Sequence, residues 1–554
     1  LYSNCRLELL EVSAMRLLPV LLIAAACATP LARADAVAAC ERIADTTLSG
    51  AEVLHATAVP AGPLRADDRE PAAVGTTSLP AHCRVSLVAR PSPDSHIRIE
   101  VWMPSAGWNG RFEAVGNGNY AGMLSMDALP HGILRGSVIA TTDTGHESTP
   151  ADPKLADWAV HRGKLLDFGH RAIHEMARLG KALAALHYGT APKNAYFVSC
   201  SNGGRQGLMA AQRHPKDFDG IVAGAPARSW TRLNSAFMSH HRRFLLDPAS
   251  RLPPEKVELL RRAVLAACDA RDGLQDGMVD DPRRCPFDDA VLRCEGADRA
   301  GCLTDAQLDT VRALRAGIAA PASARLAGLP PGTESEAWDT WIFGTPPMRS
   351  GYDYLGTPFF RDVLHRDPTW TAERFDLAAD SARAARELSP VLDADDPDLR
   401  PFFAAGGKLI LYTGWLDPAI PALDTLEYYE AARAAVGAAT AEGSMRLFMF
   451  PGVAHCGDGP GFSSFGQWFN GTGEPAEDIR AALIAWVEQG RVPDTLVATR
   501  GGDDLWLDPR VAASGDARPP TRLVCAYPKR ARWTGQGSPG QAGNFRCEHD
   551  GANP

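Results

Sequence analysis

Two blocks of this chain alternate apolar strands with amphipathic helices, and that alternation leaves few folds open. In the first block, "GSVIATTDTG" (136–145) reads as a strand closed by turn residues, and a helix is expected from about Gly163 to Tyr188. "NAYFVSC" is the next strand, "NGGRQGLMAAQRHP" a helix stopped by Pro215, and "GIVAGAPA" another buried strand. In the second block, "GKLILYTG" and "MRLFMFPG" read as strands, and Leu423 to Val436 and Ala476 to Gln489 as helices. Strands that are apolar at consecutive positions need cover on both faces. Helices between them supply it, so the expectation is α/β, with a parallel sheet wound on both sides. The chain has 554 residues, 45% of them hydrophobic, which is ample for a large core and too long for one ordinary domain. From about 228 to 395 the alternation stops, and this segment holds four cysteines, many prolines and several tryptophans. It reads as an insertion folded as a lid, with a capping box at Thr304 and Gln307. Residues 35–227 and 396–554 then form the main domain.

The first 34 residues read as an upstream extension followed by a signal peptide. Met15-Arg16 gives a start and a positive charge, Leu17 to Ala28 an apolar run, and Ala32-Arg33-Ala34 a cleavage site. The run is too short to span a bilayer comfortably. The expected location is therefore periplasmic or secreted. Export removes Cys5 and Cys27 from the twelve cysteines and leaves an even number, which in an oxidising compartment argues for disulfides. No C-x-x-C pair exists to favour zinc or a disulfide oxidoreductase. The net charge of −9 is spread through both signs without a basic stripe, so nucleic acid is not an expected partner.

Ser201 lies between a strand and a glycine-rich helix start, where a nucleophile elbow lifts a hydroxyl above a sheet. The usual G-x-S-x-G is broken, because Ser199 replaces the first glycine. A serine there can also be a plain helix cap. Two further residues strengthen the catalytic reading: Asp417 in "GWLDPAIP" and His455 in "PGVAHCGDG" each follow the end of an expected strand. Their order, Ser then Asp then His, is that of α/β-hydrolases. Asp424 and Asp458 are rival acids, less well placed. If Ser201 meets His455, the adjacent Cys200 and Cys456 must also approach, and a bridge between them would staple the two loops.

Cys-Ser, then Asp, then His-Cys resembles the tannase and feruloyl esterase family over nearly the whole mature chain. "SNGGRQGL", "YTGWLDPAIP" and "GVAHCGDG" carry the resemblance. It implies an α/β-hydrolase fold with a large inserted lid, and a secreted serine esterase acting on small esters of aromatic, phenolic acids. The alternatives are a terephthalate mono- or diester hydrolase, or a non-catalytic binding protein on the same fold. It implies the bridges Cys40–Cys83, Cys268–Cys285, Cys294–Cys302 and Cys525–Cys547. The oxyanion hole should use the backbone N–H of Asn202, with a second donor from "GNGNYAG", at Gly118 or Asn119. Ile420 is expected to line the acyl pocket, with Trp338 and Trp341 as further candidates. No cofactor is expected for the chemistry itself. In "CDARDGLQDGMVDDPRRC", Asp269, Asp272 and Asp276 crowd one short loop and would repel without a hard cation. The loop resembles the family's lid calcium site, which implies a structural Ca²⁺ completed by the carbonyls of Leu274 and Met278. The rival reading is a solvated acidic turn. Nothing in the sequence fixes the oligomeric state.

Overall fold

A computed structural model describes residues 37–64, 78–148, 155–345, 348–468, 471–500 and 519–549. The expected signal peptide lies outside these residues. Nine strands form one sheet: β1 (Ala51–Val59), β2 (His82–Ala89), β3 (Ile97–Pro104), β4 (Arg111–Val115), β5 (Val138–Thr142), β6 (Asn194–Cys200), β7 (Gly220–Gly224), β8 (Lys408–Gly414) and β9 (Met445–Phe450). Their spatial order is β1-β2-β3-β5-β4-β6-β7-β8-β9. From β5 to β9 every pairing is parallel, and β1, β2 and β3 pair antiparallel at one edge. The parallel strands are the apolar runs of the sequence, and β7 and β8 are buried almost throughout. Helix α1 (Ala172–Tyr188) precedes β6 and ends on left-handed Gly189, and α2 (Asn202–Arg213) follows β6 directly. The chain has the α/β-hydrolase architecture.

The antiparallel edge was not expected from the sequence. Strand β3 carries Glu100, 1% exposed, inside an apolar run. It accepts hydrogen bonds from Arg84 Nε at 2.5 Å and Trp102 Nε1 at 3.0 Å, which is what makes a buried carboxylate tolerable there.

Between β7 and β8 the chain leaves the sheet. Helices α3 (Trp230–Leu246), α4 (Pro254–Cys268), α5 (Asp305–Ala316), α6 (Gly351–Pro358) and α7 (Leu377–Glu387) are joined by irregular loops. The capping box at Thr304 and Gln307 opens α5. Apolar side chains of this segment join Tyr120, Ala419, Ile420 and Cys456 in one cluster, so it packs on loops that follow strand ends. Two hydrogen bonds fix it there: Tyr120 donates to the Leu355 carbonyl (2.7 Å) and Tyr352 to the Pro418 carbonyl (2.9 Å). Helices α8 (Ala422–Val436) and α9 (Ile479–Gln489) complete the cover of the sheet. Five disulfides are formed, with the pairing implied by the resemblance and with Cys200 joined to Cys456. No helix among the described residues is long and apolar enough to cross a membrane.

Candidate active site

Strand β6 ends at Cys200, and the chain then turns through Ser201 with φ 66° and ψ −127°. Residues with a Cβ avoid this region. Three hydrogen bonds hold it: the Ser201 N–H donates to the Gly224 carbonyl (2.9 Å), and the Ser201 carbonyl accepts from Arg205 and Ala227 (3.1 Å each). The turn brings α2 close enough to the sheet that a Cβ on Gly204 would stand 2.4 Å from the Gly224 oxygen. A Cβ on Gly203 would stand 1.9 Å from Ser199 Oγ. Ser199 is therefore accommodated, in place of the usual glycine, by the empty side of Gly203.

Ser201 Oγ lies 2.9 Å from His455 Nε2, and His455 Nδ1 lies 2.8 Å from Asp417 Oδ2. Asp417 is fully buried, and its other oxygen accepts the backbone N–H groups of Ala419 and Ile420 at 2.9 Å each. The carboxylate is thus fixed on one edge by the backbone and on the other by the imidazole. The arrangement can remove a proton from the serine hydroxyl and hold the resulting imidazolium beside a fixed negative charge. The Cys200–Cys456 bridge, with Cα atoms 5.8 Å apart, joins the serine turn to the histidine loop. Of the rival acids, Asp424 is turned away and paired with Arg228 at 2.6 Å. Asp458 is exposed, with its carboxyl raised above the usual range by burial of part of the group and lowered by His455.

The loop after β4 lies directly over the first turn of α2: a Cβ on Gly116 would come within 3.0 Å of the Gly203 Cα. Gln206 ties the two together, accepting the Asn117 N–H at 3.0 Å, and Asn117 Nδ2 donates to the Met123 and Thr142 carbonyls at 2.8 Å. Tyr120 anchors the far end of the loop, its carbonyl 2.7 Å from His146 Nε2. Gly118 and Asn119 between these anchors are exposed, Asn119 at φ 48°. Asn202 opens α2, where backbone N–H groups have no partner within the helix. Sequence reading missed Arg205. Its buried guanidinium donates to Asn202 Oδ1 (2.8 Å) and to the carbonyls of Phe168, Gly169 and Leu392, and lies 4.8 Å from the Phe168 ring. Burial lowers its pKa to about 9, so it stays charged at neutral pH while it holds the helix start in place.

A cavity of about 590 Å³ opens at His455 between the histidine loop and residues 332–341. Trp341 lines it and stands edge-on to the imidazole with ring centroids 5.0 Å apart. Trp338 is fully buried in the core beside Phe343 and does not border this cavity, and Ile420 is buried in the same apolar cluster. Of the three pocket candidates, only Trp341 reaches the histidine's cavity; Ile420 contributes its N–H to Asp417.

The family model described as "Tannase and feruloyl esterase" matches residues 83–548. The chain belongs to the tannase and feruloyl esterase family. It is 38% identical to an uncharacterized esterase of Xanthomonas campestris pv. campestris, over 93% of this chain and 92% of that one. It is 31% identical to mono(2-hydroxyethyl) terephthalate hydrolase of Piscinibacter sakaiensis, over 92% and 91%. The crystal structure of feruloyl esterase B from Aspergillus oryzae superposes with a TM-score of 0.81 at 27% identity, covering 93% of this chain and all of that one. This member of the family is a carboxylic ester hydrolase.

The esterase's acidic loop runs between Cys268 and Cys285, which are bonded to each other. Asp269 accepts the N–H groups of Asp276 and Gly277 at 3.1 and 3.0 Å, Asp272 accepts that of Leu274 at 2.9 Å, and Asp276 is paired with Arg522. The Asp272 carboxyl is raised to about 6, first by burial and then by Asp276 and Asp269. Asp280, which sequence reading passed over, has a buried oxygen without a hydrogen-bond partner and is raised to about 7 by burial and by Asp272. Arg530, Arg522 and Arg532 act against the rise at Asp280, so this loop has arginines beside its crowded carboxyls. Among the described residues, the one group of three potential ligands with atoms within 4.8 Å of one another lies elsewhere, at His174, His214 and Asp217. There the two imidazoles stack, centroids 4.0 Å apart and planes 14° off parallel. Ring lone pairs lie in the ring plane, so a stacked pair does not converge on one ion. His174 instead bonds Asp217 at 2.8 Å, and that bond raises its pKa.

Proposed function

We propose that this enzyme is a secreted serine esterase of aromatic acid esters that works through an acyl-enzyme. The observation that carries the mechanism is the unbroken relay Asp417–His455–Ser201, with contacts of 2.8 and 2.9 Å. In this reading, Ser201 Oγ attacks the ester carbonyl as His455 Nε2 takes its proton. Asp417 orients the imidazole, with its own position fixed by Ala419 and Ile420. The backbone N–H of Asn202 and a donor from the Gly118–Asn119 turn stabilise the oxyanion. The protonated His455 then gives its proton to the leaving alcohol, and water, activated by the same imidazole, cleaves the acyl-enzyme.

Aromatic acids as the acyl part are supported by relatives whose names specify feruloyl and terephthalate esters. The Trp341 ring at the histidine gives such an acid a flat partner. The 31% identity to a terephthalate monoester hydrolase supports terephthalate esters as a second reading. Residues 228–395 act as the lid that shapes this cavity. Its acidic loop takes a structural Ca²⁺ through Asp269, Asp272 and Asp276 and the carbonyls of Leu274 and Met278. Bound there, the ion neutralises crowded carboxylates and stiffens the lid, with no part in the chemistry. Export is supported by five disulfides. Rates on methyl ferulate, methyl gallate and a terephthalate ester test the assignment: hydrolysis of at least one, lost in Ser201→Ala, is expected. Hydrolysis of simple alkyl esters alone would refute the aromatic part.

A further inference from the structure

The first turn of α2 carries the oxyanion donor of the reading above, yet it has no side-chain cap. Ser201 stands at the N-cap position, but its hydroxyl makes no capping bond and is engaged with His455 instead. Asn202, fully buried, is held through its side chain: Oδ1 accepts from Arg205 Nε at 2.8 Å, and Nδ2 has no hydrogen-bond partner among the described residues. That one bond therefore fixes the amide. Asn202 and Arg205 are three positions apart and share a helix face. The other bonds of the guanidinium leave the helix. They run to the carbonyls of Phe168 and Gly169, in the π-helical turn Asp167–Arg171, and of Leu392, at the end of the short lid helix Ser389–Leu392. Gly169 permits this meeting, since a Cβ there would lie 2.6 Å from the Val391 oxygen. The ring of Trp230, which opens α3, lies 5.5 Å from the guanidinium. Arg205 thus touches the lid both where it leaves the sheet and where it returns.

We propose that Arg205 is the positioning residue of the oxyanion hole: it fixes Asn202 beside Ser201 and sets that residue against both roots of the lid. This assignment rests on the esterase reading above and deepens it. A backbone N–H stabilises an oxyanion best when it is aimed before the charge develops. Ser201 sits at backbone angles that residues with a Cβ avoid, so the turn persists only where its surroundings hold it. Arginine suits that task because its planar fork serves four acceptors in fixed directions, whereas a lysine ammonium is a point charge on a flexible stem. Without the anchor, Asn202 is free to shift with the first turn of α2. A fully buried side chain offers the substrate no contact, so its loss should fall on kcat rather than on KM.

Asn202→Ala tests it, because this variant keeps the backbone N–H and the three carbonyl bonds of Arg205 and removes only the anchor. Arg205→Lys and the double variant complete a cycle. Rates on the ester that wild type cleaves fastest are measured alongside urea denaturation and the Ki of an aryl trifluoromethyl ketone. The adduct of that ketone with Ser201 places an oxyanion where the ester would. Folded Asn202→Ala is expected to lose about tenfold to a hundredfold in kcat, with KM within about threefold and Ki raised in step with the fall in kcat/KM. Arg205→Lys should lose a similar factor, and the double variant no more than the worse single one, since both substitutions break the same bond. Wild-type kcat in Asn202→Ala, a loss confined to KM, an unchanged Ki, or losses that multiply in the double variant would overturn the proposal while leaving the esterase reading intact. If Arg205→Lys does not fold, Asn202→Ala decides alone. Wild type that cleaves no ester and is not inhibited by the ketone would overturn both.

Discussion

Replacing Gly203 by alanine places a methyl carbon 1.9 Å from Ser199 Oγ and 2.6 Å from Ser199 Cβ. Rotating the serine hydroxyl clears the first contact but not the second, because the Cβ position is set by the backbone of β6. Helix and strand must therefore separate. Overpacking a buried site destabilises by about 1–3 kcal/mol. Alanine recovers up to about 1 kcal/mol over glycine in a helix interior, and the net loss expected is at most about 2–3 kcal/mol. The displaced residues adjoin Ser201, so turnover should fall by about tenfold to a hundredfold in the folded variant. Ser199→Gly removes the obstacle and restores room for a side chain at 203. The double variant should then regain most of the stability and turnover lost in Gly203→Ala. A double-mutant cycle read by urea denaturation and ester hydrolysis measures the coupling. If Gly203→Ala alone keeps wild-type stability and turnover, or if the two substitutions are additive, the account of how this elbow tolerates Ser199 is wrong.

Asp417→Asn should fold normally and lose roughly 10³–10⁴-fold in kcat, because the amide favours the wrong imidazole tautomer; near-normal kcat would exclude Asp417 from the relay. Removing the Cys200–Cys456 bridge by double substitution opens a connection between residues 256 apart in sequence. It should lower stability by at most about 5 kcal/mol and lower turnover at temperatures where the variant stays folded. Unchanged turnover there would confine the bridge to a stabilising role. Glu113 would be raised by burial, but Arg135 and Arg480 bring it down to about 2. A depressed carboxyl adds stability that is present above its unfolded pKa and lost as pH falls through the folded one, so about 3 kcal/mol should disappear between about pH 4.5 and 2. Glu113→Gln should be less stable at neutral pH and show a shallower acid limb in urea titrations; an unchanged limb would refute that. Chelation should lower Tm in wild type, reversed by Ca²⁺, and the shift should vanish in Asp272→Ala and Asp276→Ala. An equal shift in those variants would remove the ion from this loop.

The parallel core was legible because β6 to β9 are apolar on consecutive residues, and the three reactive residues were legible because each lies in the loop or turn just after such a strand. The edge strands β2 and β3 were not, since Arg84, Arg98 and Glu100 interrupt their apolar pattern, and the partner that makes Glu100 tolerable, Arg84, lies on the neighbouring strand. Arg205 reads in sequence as an ordinary exposed helix arginine. Its role exists only once carbonyls from residues 168, 169 and 392 meet around it. Trp338 and Trp341 are equivalent on paper, three positions apart, and only packing shows that the first belongs to the core and the second to the histidine's cavity.

The central claim is that Ser201 carries the acyl group during turnover. Mass spectrometry of enzyme quenched during hydrolysis of methyl ferulate measures this directly. The account predicts a feruloyl adduct on the peptide containing Ser201, absent in Ser201→Ala, which should also be inactive. An adduct on another residue, or undiminished hydrolysis by Ser201→Ala, would contradict it.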